Sequence, residues 1–178
     1  MDRAREKKLR YDKAYLRMAK TWSELSHCAR KQVGAIIVKD GMIISDGYNG
    51  APSGFDNCCE NGDGETHWYV LHAEANAILK VAKSTHNCNG ATLYLTLSPC
   101  KECSKLIHQA GIVRVVYSKA YRDDSGLQFL KKAGIDFIVL AGFLWKIPSA
   151  LIQAFPKKII NIHPALLPKY GGKGMYGM

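Results

Sequence analysis

The sequence predicts an α/β fold in three layers, with helices on both faces of a five-stranded mixed sheet. Two observations carry this prediction. β-favourable runs alternate with stretches of helical composition along the first 140 residues. In addition, a short turn joins the first two runs, whereas a helix precedes each later run, and this order of elements implies a mixed sheet.

The chain begins with an amphipathic helix and a hairpin. In residues 5–25 the apolar side chains recur at steps of one to four, which leaves a basic outer face. Those apolar residues are Leu9, Tyr11, Ala14, Tyr15, Met18 and Trp22. Strands over Val33–Val38 and Met42–Ser45 then flank an Asp-Gly turn at Asp40-Gly41, which is typical of a hairpin.

A long loop separates the hairpin from the rest of the predicted fold. Residues 49–68 are rich in Gly, Asn, Asp and Pro and show no period, as is typical of a functional or disordered loop. Beyond it, helices and strands alternate, and glycines end two of the helices. The predicted elements are a helix over Val70–Ala82, a strand over Ala91–Leu97, a helix over Cys100–Ala110, a strand over Val113–Ser118, a helix over Ser125–Ala133 and a strand over Ile135–Leu140.

Composition limits the class of protein. Apolar residues make up 47% and charged residues 22% of the chain, which is ordinary for a globular protein with a real core. No apolar run reaches the roughly 18–20 residues needed to span a bilayer. The polar start of the chain also lacks the apolar stretch of a secretory signal. We therefore expect a cytoplasmic protein with no membrane partner, in which at least some of the six cysteines are reduced and bind metal.

The charge is strongly basic but does not identify a substrate. The formal net charge is +10, and residues 141–178 contain five lysines and no acidic residue. A basic surface suits an anionic partner, either a nucleotide phosphate or a nucleic acid. A solvated basic surface explains the charge equally well.

Two short motifs predict a metal site. His72 and Glu74 lie at the start of a helix, and Cys100 and Cys103 lie where a strand passes into the next helix. Zinc prefers thiolate and imidazole ligands, and a catalytic zinc keeps one position for water. Cysteines at i and i+3 can face one ion, and the helix dipole favours their thiolates. We predict His72, Cys100 and Cys103 as ligands, with Glu74 as the group that moves protons.

Other interpretations of these motifs are weaker. A lone C-x-x-C pattern is also found in redox pairs and structural zinc sites, but a structural site needs a fourth ligand and Cys88 is poorly placed for it. The combined pattern H-x-E…P-C-x-x-C is typical of zinc-dependent nucleobase deaminases. In that chemistry hydroxide attacks C4 of cytosine while Glu74 transfers protons, and ammonia leaves.

A third motif indicates which kind of deaminase the sequence resembles. Gly47-Tyr48-Asn49-Gly50-Ala51-Pro52-Ser53-Gly54, ahead of HAEANAI and SPCKEC, resembles the deoxycytidylate deaminase family over residues 10–138. The resemblance implies a cytidine deaminase-like fold and hydrolysis of dCMP to dUMP. The alternatives are a deaminase of tRNA or another nucleic acid, with Trp68 and Tyr69 beside a flipped base, and a deaminase of free cytosine nucleosides. A module that binds RNA around a purely structural zinc is a further alternative.

The resemblance also implies substrate contacts and an assembly. Asn49 is expected to hydrogen-bond the sugar or base, and Arg30 is expected to contact the phosphate. Tyr121 and Arg122 are expected to close over the nucleotide. The family implies a homo-oligomer, often a hexamer, that dCTP activates and dTTP inhibits. Some phage relatives hold a second, structural zinc, for which unpaired thiols are the alternative. Its candidate ligands here are Cys28, Cys58, Cys59 and His67.

The C-terminal segment resembles a different family. From Ile135 the chain is similar to glycinamide ribonucleotide formyltransferase, and the residues matching that family's catalytic pair are Asn161 and His163. The Gly-rich phosphate-binding start is absent and the chain stops before the family's catalytic Asp, so we expect no formyl transfer. We therefore predict a deaminase domain over residues 1–140 and an incomplete formyltransferase-like tail over residues 141–178, apolar at first and disordered at its glycine-rich end.

Overall fold

A computed structural model describes residues 3–135, 137–141 and 159–162, with the backbone alone described at residue 5 and from residue 137 onward. Helices and strands alternate through these residues as predicted. In chain order they are α1 (Arg3–Ser23), β1 (Gly34–Lys39), β2 (Met42–Tyr48), α2 (Ala73–Ala82), β3 (Thr92–Leu97), α3 (Lys101–Gln109), β4 (Arg114–Lys119), α4 (Ser125–Lys132), β5 (Phe137–Ala141) and β6 (Ile159–Ile162).

The strands form one mixed sheet in the order β2-β1-β3-β4-β5-β6. Strand β1 is antiparallel to both β2 and β3, whereas β3, β4, β5 and β6 are parallel to one another. The prediction of a mixed sheet is confirmed, but the prediction of five strands is wrong. The sixth strand, β6, lies in the segment that resembles another family, and its β-branched Ile159, Ile160 and Ile162 favour a strand.

The hairpin between β1 and β2 has the predicted turn. Asp40 and Gly41 have φ angles of 51° and 78°, as a type I′ turn requires at both central residues. Pairing continues from Lys39 opposite Met42 to Gly34 opposite Tyr48, with one irregularity between Ile37 and Val38. The turn therefore fixes the register of the two strands that lead into the long loop.

Helices cover both faces of the sheet. On one face α1 packs Leu16 and Ala19 against sheet residues that include Ile36 and Val116. Gly34 lets α1 lie directly on β1, since a Cβ atom there would collide with the carbonyl oxygen of Ala19. On the other face α2, α3 and α4 pack on a larger apolar cluster, which includes Ala77, Ile107, Leu130, Leu93 and Val115. The three-layer prediction is confirmed.

One predicted boundary needs adjustment. Helix α2 begins at Ala73 rather than at Val70, because Leu71 forms an isolated bridge with Gly50 and the Val70 N–H donates to the carbonyl of His67. The apolar stretch of the tail and its glycine-rich end, predicted to be disordered, lie outside the described ranges. Among the described helices, none has the length and apolar character needed to cross a membrane.

A buried ion pair connects α1 to strand β4 of the sheet. Both Asp12 carboxylate oxygens accept hydrogen bonds from the Arg114 guanidinium, at 2.8 and 2.7 Å. The Tyr94 hydroxyl donates to the same carboxylate at 2.8 Å. Asp12 and Arg114 are both buried, so each depends on the other for its charge to be compensated.

Replacing Asp12 with Ala is expected to lower the free energy of unfolding by about 3–5 kcal/mol, since it leaves the Arg114 guanidinium buried without its carboxylate. Urea denaturation followed by circular dichroism measures the change. Replacing the exposed Glu24 with Ala is the matched control, and we expect it to change stability by less than about 0.5 kcal/mol. Equal effects of the two substitutions would contradict a stabilising role for the pair.

Candidate active site

The N-termini of α2 and α3 bring the two predicted metal motifs together. His72 is the N-cap of α2 and Cys100 is the N-cap of α3, and both have extended backbone conformations. The Cys100 sulfur accepts a hydrogen bond from the backbone N–H of Cys103. The start of α3 therefore presents both cysteines to the imidazole at the start of α2.

The distances within this group suit a tetrahedral zinc ion. His72 Nδ1 lies 3.5 Å from Cys100 Sγ and 3.3 Å from Cys103 Sγ. Zinc with Zn–S bonds of about 2.3 Å and Zn–N bonds of about 2.0–2.1 Å at tetrahedral angles needs an N–S distance of about 3.6 Å. Within the described residues this is the one group of three or more His, Cys, Asp or Glu side chains close enough to share a metal ion.

The two cysteines have opposite pKa shifts. Hydrogen bonds from the Cys103 side chain and from His72 outweigh desolvation and lower the pKa of Cys100 to about 3. The same Cys100–Cys103 hydrogen bond, desolvation and the charge of Glu74 raise the pKa of Cys103. The lowered pKa of Cys100 favours its thiolate, which is the form that binds metal.

Glu74 lies beside this group in a buried position. Its residue is 4% exposed, and desolvation raises the pKa of its carboxyl to about 7, although the Glu74 backbone and the charge of His72 oppose the shift. A carboxyl group with such a pKa exists in both protonation states near neutral pH, which suits a general acid and base.

A cavity of about 480 Å³ opens onto the group. His72, Glu74 and Cys100 line it, and so do three exposed cationic side chains, those of Arg30, Lys31 and Arg122. Its volume falls within the range of small-molecule binding sites. The arrangement combines buried proton-transfer chemistry with a positively charged opening.

Tyr121 links the cationic side chains. The Lys31 ammonium lies 4.7 Å and the Arg122 guanidinium carbon 5.9 Å from the centre of its ring. The backbone N–H of Tyr121 donates to Ser98 Oγ at 2.7 Å, which holds the loop after β4. The structure thus brings together the predicted Arg30, Tyr121 and Arg122, and it adds Lys31, which sequence reasoning missed.

Asn49 also lines the cavity, but its side chain binds the backbone. Its amide oxygen accepts from the Val33 N–H at 2.7 Å, and its amide nitrogen donates to the Lys31 carbonyl at 2.8 Å. Asn49 therefore holds the segment that carries Lys31. Its predicted hydrogen bond to the sugar or base of a substrate stays a prediction.

The residues predicted for a second zinc site are not brought together as ligands. Cys28 and Cys59 form a disulfide, so neither offers a thiolate, whereas Cys58, Cys88, Cys100 and Cys103 are free. Cys58 is exposed and donates to the Glu60 carbonyl, while the His67 ring stacks on Tyr69. The disulfide forms because the two loops meet across 31 residues of sequence, a contact that the spacing of the cysteines does not reveal.

The aromatic side chains beside the site lie on the long loop. Tyr69 contacts the rings of Phe55, His67 and Trp68, and Trp68 is 93% exposed. Neither Trp68 nor Tyr69 is among the described residues that line the cavity. A base-stacking role for them, as a nucleic-acid deaminase would need, gains no support from this position.

Two protein families match the chain. The cytidine and deoxycytidylate deaminase zinc-binding region matches residues 9–119, which contain the whole candidate site except Tyr121 and Arg122. Four of the six strands lie in this match. The formyl transferase family matches residues 71–178, so residues 71–119 fall in both matches.

Individual relatives agree with these matches. Deoxycytidylate deaminase of Saccharomyces cerevisiae is 38% identical over 135 residues, covering 70% of this chain but 43% of the yeast protein. The chloroplastic phosphoribosylglycinamide formyltransferase of Arabidopsis thaliana is 43% identical over 104 residues, covering 53% of this chain and 35% of that protein. The chain thus spans less than half the length of either relative.

A solved structure supports the fold directly. The dCMP deaminase of cyanophage S-TIM5, crystallised with dCMP and dUMP, is 48% identical to this chain. The similarity covers 70% of this chain and 93% of the phage enzyme, with a TM-score of 0.69. The α/β fold described above is therefore cytidine deaminase-like.

Proposed function

The chain belongs to the cytidine and deoxycytidylate deaminase family, and on that basis we propose that it hydrolyses dCMP to dUMP and ammonia with zinc as its cofactor. The observation that carries the proposal is a buried glutamate beside a His-Cys-Cys group at the end of a cavity with cationic side chains. The phage enzyme whose fold the chain shares is a dCMP deaminase. The formyl transferase family also matches residues 71–178 of this chain, but we propose no formyl transfer.

The residues present fit a catalytic zinc. His72, Cys100 and Cys103 would hold the ion with three protein ligands, which leaves one tetrahedral position open. When bound, zinc would supply Lewis acidity that makes water a nucleophile at neutral pH. A second, structural zinc finds no comparable donor group among the described side chains, so we propose one zinc per chain.

Glu74 would move the protons of the reaction. Its carboxylate accepts a proton from the attacking water and donates it to N3 of the cytosine ring as the C4–O bond forms. It then transfers the second water proton to the amino group, so that the C4–N bond breaks, ammonia leaves and uracil remains. Burial keeps bulk water away from the carboxylate during these transfers.

The cationic side chains would select a phosphorylated substrate. Arg30, Lys31 and Arg122 are exposed at the cavity. A guanidinium group can donate two parallel hydrogen bonds to two oxygens of one phosphate. A nucleoside lacks the group that these side chains attract. A nucleotide monophosphate is therefore the better substrate for this arrangement.

Incubating zinc-loaded protein with dCMP tests the proposal. We expect dUMP and ammonia to form in equal amounts, measured by chromatography and by an ammonia assay. Absence of both products from protein that contains zinc would contradict the proposal.

Replacing Arg30 with Gln is expected to raise the KM for dCMP about tenfold or more, since it removes a charged hydrogen-bonding partner of the phosphate. Steady-state kinetics with dCMP and deoxycytidine measure the effect as a change in the ratio of the two kcat/KM values. The exposed Arg17 on α1, replaced by Gln, is the control. A loss that is equal for both substrates would argue against a phosphate contact.

The remaining predictions extend this proposal. The deaminase domain would comprise residues 1–140, and the tail, residues 141–178, would add β6 to the edge of its sheet. A homo-oligomeric, hexameric assembly, regulation by dCTP and dTTP, and a cytoplasmic location stay predictions. A tRNA or other nucleic-acid substrate is the alternative, and it would require a polymer to enter the same cavity.

A further inference from the structure

The segment that carries Arg30 and Lys31 has no regular secondary structure, yet hydrogen bonds hold both of its ends. At its start Ser26 Oγ donates to the Asn49 carbonyl at 2.7 Å. At its end the Asn49 side chain binds the Lys31 carbonyl and the Val33 N–H. Both ends are thus fixed to the residue that follows β2.

Glu60 holds the middle of the same segment. One of its carboxylate oxygens accepts from the Ala29 N–H at 3.1 Å, and the other accepts from the Arg30 N–H at 3.2 Å. The preceding residue, Cys59, is joined to Cys28 by the disulfide. Hydrogen bonds to a charged acceptor are stronger than neutral ones, so Glu60 restrains the backbone on which the Arg30 side chain is mounted.

The position of Glu60 is chemically unusual. It lines the same cavity as Arg30, Lys31 and Arg122, where its negative charge opposes an anionic ligand. A carboxylate in such a place weakens phosphate binding unless it contributes in another way. Its two hydrogen bonds to consecutive backbone N–H groups supply that contribution.

We propose that Glu60 is a positioning residue for the phosphate subsite, holding Ala29 and Arg30 so that the Arg30 and Lys31 side chains are preset at the cavity. The inference rests on the proposed nucleotide substrate. A preset loop binds more tightly because less conformational freedom is lost when the ligand arrives. A group that acts in this way affects ligands with a phosphate and leaves those without one largely unaffected.

Replacing Glu60 with Ala tests this inference in the full-length, zinc-loaded protein. We expect the Kd for dUMP to rise about tenfold while the Kd for deoxyuridine changes by less than about twofold, both measured by isothermal titration calorimetry. Glu60→Gln keeps one acceptor oxygen and should give an intermediate Kd for dUMP. Glu65→Ala removes an exposed carboxylate of the same loop and is the matched control.

Amide hydrogen exchange tests the hydrogen bonds without any ligand. In Glu60→Ala the Ala29 and Arg30 amides should exchange faster than in the wild type and in Glu65→Ala. Unchanged exchange at these amides would overturn the inference, and Glu60→Gln provides the same readout if Glu60→Ala does not fold.

The binding results separate this inference from the proposed function. If wild-type protein does not prefer dUMP to deoxyuridine, the proposed nucleotide substrate fails, and the inference fails with it. If the wild type has that preference and Glu60→Ala keeps it, the inference alone fails. A tighter affinity of Glu60→Ala for dUMP would show that charge repulsion dominates, which would also overturn it.

Discussion

Replacing Glu74 with Gln should reduce kcat for dCMP by about 10²–10⁴-fold while zinc remains bound. The amide has the same shape as the carboxyl group but can neither accept the proton of the attacking water nor return one to the ring. Because Glu74 is buried, solvent cannot easily take over this role. The proposed metal ligands His72, Cys100 and Cys103 are unchanged, so zinc content should equal that of the wild type.

Two measurements together test the effect of Glu74→Gln. Metal analysis shows whether zinc is retained, and ammonia release from dCMP gives kcat. Glu102→Gln is the matched control, because Glu102 lies in the first turn of α3 between the two cysteines but is exposed. Full activity in Glu74→Gln would show that another group transfers the protons.

Replacing Cys100 with Ser should remove zinc and lower turnover by more than about 10²-fold, since a hydroxyl does not replace a thiolate as a zinc ligand. In the structure the pKa of Cys100 is lowered, which favours the thiolate that a zinc ion would bind. A chelator should have the same effect on the wild type, and added zinc should restore activity there but not in the variant.

Cys58→Ser provides the control for this experiment. Cys58 is an exposed free thiol outside the His-Cys-Cys group, so its replacement should leave one zinc per chain and normal turnover. Retention of zinc and activity in Cys100→Ser would show that the metal lies elsewhere. Two zinc ions per wild-type chain, one of them lost in Cys58→Ser, would show that the second site exists.

Local signals allowed much of the fold to be predicted. The Asp-Gly turn fixes the hairpin, and the spacing of Cys100 and Cys103 places both thiols on one helical turn. The order of strands and helices likewise predicts the mixed sheet. The prediction lacks β6 because residues 159–162 form a run of only four residues, too short for a clear strand pattern, in the segment that resembles another family.

Contacts between distant parts of the chain could not be predicted in this way. Glu60 reaches Ala29 and Arg30 across about thirty residues, and Asp12 pairs with Arg114 across 102 residues. Neither contact has a local pattern, because a glutamate in a loop and an acidic residue on a basic helix are both common in sequences. The same reason applies to Lys31, because its contact with the Tyr121 ring joins two loops that are distant in sequence.

The central claim is that this cavity deaminates a free cytosine nucleotide. Ammonia release from zinc-loaded protein, offered dCMP, CMP, deoxycytidine and a tRNA side by side, tests it most directly. We predict that kcat/KM for dCMP exceeds that for deoxycytidine and tRNA by at least about tenfold. A preference for deoxycytidine or for tRNA, with zinc bound, would contradict the account of the cationic side chains and the substrate class inferred from them.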